Sequence, residues 1–217
     1  PRSAGPESAP APPGVLPHGV VAPPGDPQRF LYLPLEEPDP LERALQRLPA
    51  TLTALGLQVA TGRVVDFRAA EHLRAGRQKN TAPLLYPAHL TAAGGVAWPR
   101  PAFRKPQHLV ASVATAPLLL PAAPLVLIKR FSSKEQRRRL MAAVYDPAQL
   151  GASAVAVENH LNVFSGAALT LDMAYGLCAF LNAGCVDRHF RVFSGHTQVN
   201  ATDLRSLRYP NTTTLTL

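Results

Sequence analysis

Cysteine and tryptophan are nearly missing from this chain, which has two of the first and one of the second in 217 residues. Cys178 and Cys185 stand seven apart in a segment with helical spacing, about 10 Å along the axis. That exceeds the roughly 7 Å Cα limit of a disulfide. Free thiols in a reducing cytoplasm are therefore expected. The glycosylation-like triplets at Asn200 and Asn211 then count as chance matches. Cys185, His189 and His196 do not have the spacing of a zinc site, so no metal is expected. The longest uncharged run, Leu109 to Ile128, holds Pro117, Pro121 and Pro124. Those prolines would break a helix repeatedly, so no membrane span is expected. Also lacking are a P-loop, a Gly-x-Ser-x-Gly elbow, an Asn-Pro-Pro-Tyr loop and a glycine-rich strand-to-helix turn for a nucleotide or methyl donor. Without them the chain is not expected to carry out covalent chemistry alone.

Acidic residues are the other shortage: 14 Asp plus Glu against 22 Lys plus Arg, a formal charge of +8. Such an excess favours a polyanionic partner. The chain starts without methionine or a secretory leader and reads as a piece of a longer protein. Residues 1–28 are rich in proline and alanine with almost no apolar periodicity, the composition of an extended linker. Leucines from residue 39 to 56 recur at helical spacing on both sides of Pro49, which predicts two short helices. Short apolar runs at residues 57–65, 82–90, 94–99, 125–131 and 153–164, separated by Gly and Pro, predict strands. A helix is predicted from Lys134 to Ala143, capped by Ser132 or Ser133. A longer one starts at Thr170 and carries Leu171, Ala174, Cys178, Leu181 and Cys185 on one face. The expected fold is α+β, with an irregular, mostly antiparallel sheet and several short helices.

Three stretches offer chemistry. "KRFSSKEQRRR", Lys129 to Arg139, has six cations and one anion, a net +5. Lys129, Arg130, Lys134, Arg137, Arg138 and Arg139 suit phosphate oxygens, and Ser132 and Ser133 can add hydroxyl contacts. The same run also fits a solvated helix face. "RPAFRKP", Arg100 to Pro106, brings Arg104 and Lys105 beside an aromatic, or is an ordinary surface turn. "FSGHTQVNATDLRSLRYP", Phe193 to Pro210, supplies Ser194, His196, Thr197, Gln198 and Asn200, and Gln and Asn can bond adenine through two atoms. Asn200 and Thr202 also suit the cap of the next helix. Glu158 and His160 suggest acid–base work, but their alternating apolar neighbours favour a strand with polar residues on one face.

These stretches, together with "TGRVVDFRAAEHLR", "APLLYPAHL" and "ENHLNVF", resemble the C-terminal region of gamma-type (Eco57I-like) N6-adenine DNA methyltransferases of restriction–modification systems. The spacing of Gly195, Gln198, Asn200, Leu204, Leu207 and Pro210 also resembles the recognition domains of Type I specificity subunits. The resemblance implies that residues 29–217 form a target-recognition domain on double-stranded DNA, following a catalytic domain N-terminal to this region. It implies that the parent enzyme flips an adenine and methylates N6 from S-adenosylmethionine, with no cofactor held in this part. Base-reading residues vary among such domains, so readers are also expected in the loops Gly76 to Asn80 and Gly94 to Lys105. The alternative is an interaction domain that docks a methyltransferase or nuclease partner through Leu41, Leu45, Leu48, Leu177 and Leu181. An RNA-binding domain would need aromatic stacking motifs that are not evident.

Overall fold

The computed structural model describes residues 18–21, 40–132, 138–193 and 198–216. The chain divides into two compact units, Pro1–Asp39 and Pro40–Leu217. In the first, a single four-residue helix, α1 (His18–Val21), is described.

Among the described residues of the second unit, nine strands form two sheets. The first sheet runs β1 (Gln58–Thr61), β9 (Leu161–Ser165), β6 (Leu125–Lys129) and β7 (Ala142–Tyr145), antiparallel throughout. The second runs β2 (Leu73–Arg74), β4 (His108–Val110), β3 (Thr81–Leu85), β8 (Ala154–Val157) and β5 (Leu119–Pro121). Only the β3–β8 pair in it is parallel. The fold is thus α+β, with mixed and antiparallel sheets and several short helices.

The first sheet is apolar on both faces. Leu125, Leu127, Ala143, Tyr145, Leu161 and Val163 turn toward Leu85, Val155 and Val157 of the second sheet. Val126, Ile128, Ala142, Val144 and Phe164 turn the other way, into a cluster with the helices. Double burial explains why "LVLIK" reads as an unbroken apolar run rather than an alternating one. Each leucine taken from water there contributes roughly 1.5–3 kcal/mol.

The helices lie over that second face. Thr170 caps α4 (Leu171–Leu181), its Oγ1 accepting the Met173 amide at 3.2 Å. Met173, Ala174, Leu177, Cys178 and Leu181 are buried below it. The sequence predicts one helix running on through Cys185, but the chain breaks at Asn182 and restarts as α5 (Gly184–Phe193). α7 (Thr212–Leu215) packs against α4 and α2 (Pro40–Gln46) against α5, while α6 (Ala201–Ser206) packs against β1. A short α3 (Pro147–Leu150) follows β7. Cys178 and Cys185 are free thiols.

Ala50 and Tyr209 exchange both backbone hydrogen bonds, at 3.0 and 2.9 Å, which ties the start of the unit to its end. That tie and the positive φ of Gly56 (68°) replace the second predicted lead-in helix by turns over residues 51–56. The strand predicted at residues 94–99 is reduced to two isolated bridges, Leu90 with Val96 and Gly95 with Val144. Of the helix predicted from Lys134 to Ala143, the described part is not helical. Ala142 and Ala143 belong to β7, because pairing with Ile128 and Leu127 outweighs local helix propensity. Residues 133–137 lie outside the described set.

β8 and β9 are joined by three residues, Glu158 to His160, yet belong to different sheets. This turn crosses from one layer to the other. Gly62 lies against it so closely that a Cβ there would fall 2.2 Å from the Glu158 carbonyl oxygen.

Candidate nucleic-acid interface

The crossing turn and the end of β6 carry the site. Glu158 is fully buried, and its Oε2 accepts the His160 amide at 3.0 Å. Its Oε1 meets Nδ1 of His160, which fixes an imidazole whose side chain is 47% exposed. The run at residues 153–164 thus supplies strands β8 and β9, while Glu158 and His160 lie in the turn between them, built around a buried carboxylate. Phe131 lies beside that imidazole with ring centroids 5.0 Å apart, and the Arg130 guanidinium sits 5.5 Å from the centre of the Phe131 ring.

Residues far apart in sequence meet here. Phe131 forms an antiparallel bridge with Gln198. The Val199 amide donates to the Arg130 carbonyl at 2.7 Å, and Asn162 Nδ2 donates to the Val199 carbonyl at 2.7 Å. Arg130 reaches Gln198 Oε1 and the Asn159 carbonyl, each at 3.4 Å. The basic stretch at residue 130 and the polar stretch at residue 198 are thus neighbours. Asn200 is half-buried and caps α6 in a reciprocal box with Asp203, whose Oδ2 accepts the Asn200 amide at 3.1 Å.

The arginines of the basic stretch divide. Arg138 is exposed and donates to the Asn182 carbonyl at 3.1 Å. Arg139 is 2% exposed, donates to the Ser132 carbonyl at 3.2 Å and lies within the electrostatic reach of Asp187 and Asp203. Asp187 Oδ1 accepts the amides of Arg139 and Leu140, so this end of the stretch is pinned to α5. Ser132 is buried as well, and its Oγ has no partner among the described residues. The phosphate contacts expected of Arg139 and Ser132 do not suit these placements, because each side chain is enclosed by protein. Lys129 is half-buried, and burial, then the nearby Arg100, pulls its ammonium below the ordinary lysine range. Ser133, Lys134, Arg137, Ser194, His196 and Thr197 lie outside the described residues.

The second basic loop comes near the first. Lys105 pairs with Asp66 at 2.6 Å and lies 5.4 Å from the centre of the Tyr86 ring. That pairing, against the opposing effect of burial, holds the Asp66 carboxyl below its usual value, and His160 adds to it. Arg104 is exposed. Arg100 and Lys129 on one side, Asp66 and His160 on the other, link the two loops through groups that feel each other's charge. Phe131 was not among the expected contact residues, and Arg100 was expected only as part of the loop Gly94 to Lys105. Each stands beside a residue expected individually, and the aromatic within a cationic run was the available signal.

No family model matches the chain. It is 38% identical over 198 residues to the Type II methyltransferase M.PstI of Providencia stuartii, and 36% identical over 197 residues to the Type II methyltransferase M.BsuBI of Bacillus subtilis. Its homologues are Type II methyltransferases. Each match takes in 90% of this chain but 39% of the relative, so the chain spans well under half of the curated proteins it resembles. A match covering nine-tenths of the chain includes both sheets and all of residues 129–139 wherever it begins. No helix among the described residues is long and apolar enough to cross a membrane.

Proposed function

We propose that this chain is the target-recognition portion of a site-specific N6-adenine DNA methyltransferase of a restriction–modification system, working in the cytoplasm on double-stranded DNA. Lys129, Arg130, Arg138, Arg104 and Lys105 contact phosphates, together with residues 133–137, and residues 194–198 meet base edges. The parent enzyme's own N-terminal catalytic domain binds S-adenosylmethionine and the flipped adenine. The residues present here do not make a methyl-donor site, since both the glycine-rich turn and the Asn-Pro-Pro-Tyr loop are missing from the sequence. No transfer step is assigned to them.

The observation that carries this reading is the Phe131–Gln198 bridge, which sets the cationic and the polar stretch side by side. The two Type II methyltransferase relatives support it. The interaction-domain alternative relied on exposed leucines. Leu177 and Leu181 are wholly buried, Leu45 is half-buried against the core, and Leu48 is half-buried. The side chain of Leu41 is outside the described set.

Fluorescence anisotropy of a labelled duplex tests the proposal. Affinity should fall with log salt at a slope of about −0.9 per phosphate neutralised. Absent binding, or binding indifferent to salt, would sink it.

A further inference from the structure

Beside the second basic loop is a hollow of about 590 Å³ whose aromatic lining the contacts above leave unused. It is lined by two loops far apart in sequence, residues 75–77 and 98–108. Trp98 and Phe103 supply its aromatic surface, and Arg77, Arg104 and Lys105 its cations. Phe103 is held by Tyr86 and His89, with ring centroids at 5.1 and 5.3 Å, and Trp98 stands edge-on to His108 at 5.0 Å. The indole Nε1 donates to the Gln107 carbonyl at 3.2 Å, and the Gln107 side chain clasps the Arg100 backbone at 2.8 and 2.9 Å. The rings are therefore fixed in place before any ligand arrives. His108, which also lines the hollow, is 6% exposed, and its Nδ1 has no partner among the described residues.

Ordered aromatic surface suits a planar ring, three cations suit a phosphate, and an unpartnered buried ring nitrogen suits a polar ring edge. We propose that the hollow takes one nucleotide of a bound DNA strand. The base lies against Trp98 and Phe103, the adjoining phosphate meets Arg77 and Arg104, and the base edge reaches His108. The inference rests on the DNA-recognition reading and goes beyond it by placing one extruded nucleotide on this portion of the enzyme. Drawing a nucleotide out of the stack is least costly where it is already unpaired. A duplex with one unpaired base should therefore fill the hollow more readily than a fully paired one.

Trp98 is the single tryptophan of the chain, so its emission reports on the surroundings of that one side chain. Anisotropy of a labelled duplex reports binding anywhere on the surface. Three probes are compared: a fully paired duplex, the same duplex with one bulged base, and a free deoxynucleoside monophosphate. The expected result is quenching of Trp98 by the bulged duplex well beyond that by the paired one. Phe103→Leu should then weaken bulged-duplex binding about 10-fold, as expected for a lost base–aromatic stack. Arg77→Ala, at an exposed position of the hollow, gives a second variant whose folding is not in question and should weaken the same complex. Duplex binding with Trp98 emission unchanged and both variants at parental affinity overturns the hollow and leaves the recognition reading standing. Failure to bind either duplex removes the recognition reading. Quenching by the monophosphate alone would then keep the nucleotide chemistry and make its source a free nucleotide, and silence from all three probes ends both.

Discussion

The side-chain amide of Asn182 pairs with both backbone groups of Ala142, its Oδ1 accepting the amide at 3.0 Å and its Nδ2 donating to the carbonyl at 2.9 Å. Ala142 begins β7, the edge strand of the first sheet, so Asn182 stands where one more strand would pair. Asn182→Leu leaves two polar groups unpaired in a residue 1% exposed. A loss of about 2–4 kcal/mol follows, read as a lower urea midpoint at unchanged slope. A midpoint equal to the parent's would show that water replaces the amide.

Arg138 and Arg139 are adjacent in sequence and opposite in role. Arg138→Ala should reduce duplex affinity and lower the steepness of its salt dependence by about one unit, with stability kept. Arg139→Ala withdraws a buried cation that Asp187 and Asp203 favour and the nearby Arg191 opposes. It should destabilise the fold by about 2–4 kcal/mol. Measuring Tm and duplex affinity for both variants separates the two. The reverse assignment would show that Arg139 faces the ligand.

Gly62→Ala forces a methyl group onto the backbone of the crossing turn, 2.2 Å from the Glu158 carbonyl oxygen and 2.8 Å from that of Val157. The strain should cost about 1–3 kcal/mol and displace His160 and Phe131 together, weakening duplex binding. Gly76→Ala meets nothing within 4 Å and serves as the control for stability. Equal Tm values for the two variants would refute the argument.

Burial pushes the imidazoles of His89 and His108 below the usual histidine range, partly offset by Gln107 at His89 and by the carbonyls of Ala75 and Arg74 at His108. His89 Nδ1 accepts the Tyr86 amide at 2.9 Å, which requires the neutral ring. With folded pKa values depressed, the unfolded chain takes up protons first. Stability is full above about pH 6.5 and falls as pH drops from there toward the folded pKa values. Urea midpoints at pH 7.5 and 5.5 test this, the lower pH giving the lower midpoint. A flat profile would show that both rings are as easily protonated as free histidine.

Local patterns were legible where one element decides its own form. Thr170 announces α4 because an N-cap is a contact over three residues, and "LVLIK" announces β6 because a strand covered on both faces needs no polar alternate. Other features depend on distant partners. Ala142 and Ala143 follow an arginine-rich run that suits a helix, and only pairing with β6 and the grip of Asn182 and Asp187 make them a strand. The neighbourhood of Arg130 and Gln198, 68 residues apart, has no local signal either. Nor does anything in "RRR" mark the third arginine as the one that turns inward.

Because Ala50 and Tyr209 lie side by side on paired backbones, the stretch that they bound starts and finishes at one spot. A unit with neighbouring ends can be transplanted as a cassette: a host polypeptide opened at one point would neither stretch nor reroute to receive it. The geometry of that seam makes exchange between related proteins a matter of two nearby junctions, with the interior carried over whole.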